Sequence, residues 1–157
     1  MSMLHFAYGS NLDRAIMLRH APSAEPIGVA SLSNHRFVIT ADGYASIEPV
    51  QAQTVYGVLW RLTPRDRVTL DMWENIASGM YCAKTLLVRR PGLRQPVLVY
   101  VARRRREGRP KTGYMELVLS AARSWSLPPD YIASLQRWLP AQPLGAGPRN
   151  LKEFGWM

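Results

Sequence analysis

The chain has 157 residues, 47% of them apolar, a single cysteine and a net charge of +9, with 20 Lys and Arg against 11 Asp and Glu. That is one domain large enough to bury its own core, with no internal disulfide and no cysteine metal cluster; a reducing cytoplasm is its simplest home. No apolar run reaches membrane-span length, and residues 1–12 lack the basic start and small-residue cleavage site of a signal peptide.

Residues 3–8 read as a first strand, with Leu4, Phe6 and Tyr8 on one face and Met3, His5 and Ala7 on the other. The strand ends abruptly in Tyr8-Gly9-Ser10-Asn11, and a short helix from Asp13 to His20 follows. Pro22 and Pro26 mark its exit. Residues 27–32 and 35–41 are strand-like around Ser33-Asn34, and Asp42-Gly43 predicts a tight turn. Tyr44 to Ile47 reads as another short strand closed by Pro49.

Val55 to Leu62 carries the clearest alternation, with Tyr56, Val58, Trp60 and Leu62 on one face and Gly57 on the other, where a backbone or ligand could come close. Thr63-Pro64-Arg65-Asp66 is a helix start: Thr as N-cap, Pro in the first turn, an acid behind it. The spacing predicts a helix through Glu74 ending near Ser78-Gly79. Met80 to Arg90 and Gln95 to Ala102 predict a hairpin around Pro91-Gly92. The period then changes. Tyr114, Leu117, Val118, Ala121, Ala122 and Trp125 define one apolar helix face. Pro128-Pro129-Asp130 starts a second helix reaching Leu139. Residues 1–139 form a single domain on this reading, and 140–157 an irregular tail whose Phe154 and Trp156 dock on the surface. Strands early and helices late predict an α+β fold, with a mixed sheet curled into a barrel-like core and peripheral helices.

Most of the positive charge is arginine, and the densest run is Arg103-Arg104-Arg105-Arg106. Gly108 and Pro110 place that run in an exposed loop, where a charge run is ordinarily solvated. No aromatic residues interleave with it, and no helix-turn-helix or zinc-finger pattern is present, so nucleic acid is not an expected partner. His5, His20 and His35 stand fifteen residues apart each time, which is neither helical-neighbour nor zinc-ligand spacing. They read as unrelated, and no metal is expected.

Two segments could carry chemistry. The first is Phe6-Ala7-Tyr8-Gly9-Ser10-Asn11-Leu12. Gly9 permits close approach to the backbone, Ser10 and Asn11 add short polar side chains, and a helix start directs N–H groups at the same place, which suits a small carboxylate or carbonyl. The same residues are also ordinary turn and N-cap chemistry. The second segment is Leu70-Asp71-Met72-Trp73-Glu74-Asn75 through Ser78-Gly79-Met80-Tyr81. A carboxylate at a helix C-terminus among apolar neighbours is raised in pKa by the helix dipole and by desolvation, which makes Glu74 a better base. The alternative is a solvent-facing Glu74 on the polar side of the helix. Asp71 suits a structural hydrogen bond. Tyr81 either aims its hydroxyl at the same pocket or is a buried strand tyrosine.

Together with Tyr56-Gly57-Val58-Leu59-Trp60, these segments resemble the γ-glutamylcyclotransferase family, in order and spacing, from residue 4 to about residue 139. The helices at Tyr114 and at Pro128-Pro129-Asp130-Tyr131 also resemble that family's C-terminal helices. The resemblance implies a compact α+β barrel and conversion of a small-molecule γ-glutamyl compound to 5-oxoproline with release of the attached amine. It implies Glu74 as general acid and base, a substrate site from Tyr8, Gly9, Ser10, Asn11, Leu12, Tyr81 and Tyr114, and no metal or cofactor. The family often has Gly after the catalytic Glu, and this chain has Asn75, the next best residue for a positive φ. Two other readings compete with the enzyme. One is a non-catalytic protein of the same fold that binds a small acidic metabolite. The other is a basic nucleic-acid binder using Arg103–Arg106. The leaving amine and the oligomeric state are not encoded legibly; loops around 42–54 and 103–113 and the tail would read the former.

Overall fold

A computed structural model describes residues 3–103 and 106–141. Five strands close into a barrel in the order β1-β3-β2-β4-β5. They are β1 (Met3–Ala7), β2 (Glu25–Ile39), β3 (Ala45–Leu62), β4 (Tyr81–Arg90) and β5 (Leu93–Ala102). Neighbours are antiparallel except β1 and β5, which run parallel and meet at His5 and Leu98. Four helices lie between and after the strands: α1 (Arg14–His20), α2 (Pro64–Trp73), α3 (Tyr114–Ser124) and α4 (Pro129–Leu135). The predicted α+β barrel with peripheral helices is the fold observed.

Closure explains why alternation understates burial. His5, Phe6 and Ala7 are all buried, so both faces of β1 are enclosed. At Gly57, β3 lies tight against β1: a Cβ there would collide with the Ala7 carbonyl and the Phe6 ring. The expected close approach is that of another strand.

Two expectations about the strands change. The segments around Ser33-Asn34 form one strand, β2, and the short strand closed by Pro49 is the first half of β3. Register passes from Ser33 opposite Thr54 to His35 opposite Pro49, so four residues of β3 bulge out at this point. Asn34 and Ala52 take left-handed φ values of 58° and 65°, and the Ala52 N–H donates to Asn34 Oδ1 at 3.1 Å. Proline is tolerated beside a bulge, where the ladder is already interrupted. Residues 45–54 are therefore strand rather than loop.

Helix α2 stops earlier than its apolar spacing predicts. Asn75 has φ 52°, which no helix continues. The Asn75 N–H donates to Met72 O and the Ile76 N–H to Asp71 O, both at 3.1 Å. This pair of bonds satisfies the last carbonyls and is the Schellman termination, with Asn75 in the left-handed position that Gly or Asn favours. No helix among the described residues is long and apolar enough to cross a membrane. Arg104, Arg105 and the tail beyond Ala141, with Phe154 and Trp156, lie outside the described residues.

Candidate active site

A pocket of about 330 Å³ opens between the end of β1, the loop after it and the C-terminus of α2. Tyr8, Gly9, Ser10, Asn11, Glu74, Tyr81 and Tyr114 all line it. Two segments 63 residues apart meet there directly: Asn11 Nδ2 donates to Glu74 Oε1 at 3.2 Å.

The loop is built by its backbone. Residues Ser10–Leu12 form a single 3-10 turn, with the Leu12 N–H on Gly9 O and the Asp13 N–H on Ser10 O, each at 3.0 Å. Asp13 caps α1 by accepting from the Ile16 N–H at 3.0 Å. The cap expected of Gly-Ser-Asn thus falls two residues later, on Asp13, which leaves the side chains of Ser10 and Asn11 to the pocket. Gly9 has a packing reason as well: a Cβ would lie 2.8 Å from Tyr114 Oη and 3.1 Å from the Ala45 side chain.

Tyr114, at the first turn of α3, organises the rim. Its hydroxyl oxygen accepts from the Ser10 N–H at 3.3 Å and from the Ala45 N–H at 3.2 Å. Burial pushes its pKa up to about 12, so it stays a neutral hydroxyl. Tyr81 donates to Ala45 O at 2.6 Å, and Tyr8 donates to Tyr100 O at 2.5 Å. Burial raises both phenols above their ordinary range, and the charge of Glu74 adds to the effect. The pocket is therefore walled by neutral hydroxyls already tied to backbone groups, a rigid and pre-oriented surface.

Leu12 takes no part in the lining. Its side chain is fully buried in the core, and its carbonyl accepts from Trp125 Nε1 at 2.7 Å.

Glu74 is the C-cap of α2 and its N–H closes the last turn on Leu70 O at 2.8 Å. Although the residue is only half-buried overall, burial of its carboxylate is the largest influence and raises its pKa to about 7. The Asn11 hydrogen bond opposes the rise, and the Asp71 charge one turn earlier adds to it. Asp71 itself accepts from Tyr100 Oη at 2.6 Å and from Arg67 Nε at 2.8 Å, the structural role its position suggested. Glu74 is thus a carboxylate able to take up and return a proton near neutral pH. Asn11 Oδ1 is buried and has no hydrogen-bond partner among the described residues, so it offers an acceptor beside Glu74.

Sequence reasoning missed part of the lining. His5, Tyr44, Trp73, Met80 and Tyr100 also face the pocket. Tyr44 packs edge-on to Tyr114 at 5.7 Å, and His20 stacks on Trp73 at 3.9 Å. His5 and Tyr100 sit on β1 and β5, Trp73 ends α2, and Tyr44 and Met80 immediately precede β3 and β4; no local pattern marks any of them as pocket lining. Nothing short of the barrel's closure places them together.

The sequence pattern of the AIG2-like family matches residues 54–135. Human γ-glutamylcyclotransferase is 28% identical over 147 residues, covering 86% of this chain and 78% of the relative. Its bovine counterpart is 36% identical over 91 residues, 51% of this chain and 48% of the relative. Among solved structures, one of a γ-glutamyl cyclotransferase superposes with a TM-score of 0.85 at 24% identity, covering 98% of this chain and 97% of that one. On the family pattern and these likenesses together, the chain belongs to the AIG2-like, γ-glutamylcyclotransferase family.

Proposed function

We propose that this protein cyclises a γ-glutamyl group to 5-oxoproline and releases the attached amine, with Glu74 moving the proton. The observation that carries the reading is the Asn11–Glu74 hydrogen bond of 3.2 Å, which joins a carboxylate of raised pKa to the polar loop inside one pocket. The human and bovine relatives bear the name of this activity.

The chemistry needs little. The substrate's α-amine must lose a proton before it can attack its own γ-carbonyl carbon. Glu74 accepts that proton as a carboxylate. The new C–N bond closes a five-membered lactam, and the γ-carbonyl oxygen carries negative charge in the tetrahedral intermediate. The bond to the leaving nitrogen then breaks as Glu74-H gives its proton to that nitrogen, and the freed carboxylate takes the second proton of the ring nitrogen and passes it to the released amine, which departs as an ammonium. One acid of pKa about 7 can serve both steps, because neither protonation state is costly near neutral pH. The loop at 8–11 folds the glutamyl chain into an attacking shape by holding its α-carboxylate, and the hydroxyls of Tyr81 and Tyr114 flank the reacting carbonyl.

The test is a panel of γ-glutamyl amino acids and γ-glutamyl amines assayed for 5-oxoproline. Lactam release by wild type, lost in Glu74→Gln with the fold intact by circular dichroism, is the expected outcome. No lactam from any member would remove the enzyme reading. Thermal stabilisation by the same compounds without turnover would favour a binding protein instead.

A further inference from the structure

His5 is a histidine that the proposed chemistry leaves unused. It lies on β1, is 2% exposed, and lines the same pocket as Glu74. Its Nδ1 is 3.2 Å from the Leu98 carbonyl oxygen on β5. A carbonyl only accepts, so Nδ1 carries the hydrogen and Nε2 bears a lone pair. That Nε2 is buried with no hydrogen-bond partner among the described residues. Burial, aided by the charge of Arg67, lowers the ring's pKa to about 4, so the lone pair persists at neutral pH. The ring cannot turn freely, being held edge-on to Tyr100 at 5.3 Å, while Tyr100 is anchored to Asp71 at 2.6 Å. An unpaired, braced acceptor in a pocket wall calls for a donor.

Its place along the pocket says which part of a ligand would supply that donor. Glu74 touches Asn11, so the loop and the carboxylate form one end. His5 precedes Ala7, the last residue of β1, by two positions, roughly 7 Å at about 3.4 Å per residue. On the reading proposed above, the glutamyl group is held at the loop end, and the group attached to its γ-carbonyl is then the part left to reach β1.

We propose that His5 is a specificity-determining residue whose Nε2 accepts a hydrogen bond from an N–H or O–H on the leaving-amine portion of the substrate. This rests on the cyclotransferase reading of the same site. A leaving group that turns a methyl toward β1 would strand the buried lone pair, and one that turns a carboxylate toward it would set two acceptors face to face.

Two isosteric pairs test this: γ-glutamyl-serine against γ-glutamyl-2-aminobutyrate, and γ-glutamyl-ethanolamine against γ-glutamyl-propylamine. In each, a terminal hydroxyl replaces a methyl. Wild type should favour the hydroxyl member by roughly tenfold in kcat/KM, mostly through KM, the size expected of one neutral hydrogen bond. His5→Phe keeps the ring and its contact with Tyr100 but lacks the acceptor, and the ratio should fall to about one. His5→Gln, which restores an acceptor oxygen, should recover part of it. A wild-type ratio near one in both pairs, or the same ratio in wild type and His5→Phe, overturns the proposal. Should His5→Phe not fold, His5→Leu replaces it. Calorimetric binding of the same pairs to Glu74→Gln protein separates the two claims. If no compound yields 5-oxoproline, the cyclotransferase reading falls, and the binding ratio decides the role of His5 alone. If no compound binds either, both fall.

Discussion

Helix α2 carries a carboxylate at each end, and the two are treated in opposite ways. At the N-terminus, Asp66 completes a capping box: it accepts from the Thr63 N–H at 3.2 Å, while Thr63 Oγ1 accepts from the Asp66 N–H at 3.1 Å. Its other oxygen accepts from the Ser23 N–H at 3.3 Å, and the residue is almost wholly buried. Negative charge at this end also suits the helix dipole. At the C-terminus, Glu74 meets the unfavourable end of the dipole, a neighbouring Asp71 charge and desolvation, opposed by one hydrogen bond from Asn11. One end follows every rule of helix stability, and the other breaks them where the pocket opens. The lesson is that one helix can satisfy a carboxylate fully at one end and leave another disfavoured at the end that lines a pocket, which is what the proposed chemistry would require.

This contrast can be broken experimentally. The largest effect falls on activity: Glu74→Gln should lower 5-oxoproline release by about 10³-fold, while Asp66→Ala should leave turnover per folded molecule within about threefold. Steady-state kinetics corrected for folded fraction read both. Next comes stability at the other end. Asp66→Ala removes the bonds to the Thr63 and Ser23 N–H groups and should cost about 1–2 kcal/mol in urea unfolding.

The third effect has the opposite sign. The folded-state pKa of Glu74 is raised to about 7 from 4.5, so the folded protein favours the protonated form. The stability associated with that proton is full below pH 4.5 and is lost as the pH rises through 7. Glu74→Gln escapes this loss. The variant should match wild type at pH 4 and exceed it by about 1–3 kcal/mol at pH 8, a range discounted for partial exposure. Equal stability at both pH values would break the assignment. The same pKa predicts that wild-type kcat/KM falls tenfold per pH unit below about 7, as the base becomes protonated.

The smallest effect is at Asn75. Asn75→Gly should leave stability within about 0.5 kcal/mol and activity unchanged, because both residues accept the left-handed C′ position. Asn75→Val should lose about 1–2 kcal/mol and displace Glu74, read as a lower kcat. Similar behaviour of the two substitutions would mean that the turn does not position the carboxylate.

Much of the fold was legible because its signals are local. Thr63-Pro64-Arg65-Asp66 announces a helix start through capping chemistry, Pro91-Gly92 a hairpin, and the spacing from Tyr114 to Trp125 an amphipathic helix. The strand through Pro49 was not legible, because a long-range register shift against His35 keeps the proline inside β3. The early end of α2 was hidden for a similar reason: apolar spacing continues past Glu74, but the backbone turns at Asn75. At the site, the loop and Glu74 were nameable from their motifs, whereas His5 and Tyr100 were not, since each sits in a strand that simply reads as core.

The sequence alone determined the local chemistry: a polar loop closing a strand, an acid ending a helix, a residue after it that tolerates positive φ, and neutral side chains suited to a buried wall. These depend on neighbours within a few positions. Tertiary structure decided what meets what. Closing the barrel through β1 and β5 brings Asn11 to Glu74 across 63 residues and His5 to Leu98 across 93. Only that enclosure withdraws the Glu74 carboxylate from water and leaves the His5 lone pair without a partner among the described residues. Desolvation is a property of the assembled surroundings, and no single stretch of chain contains it.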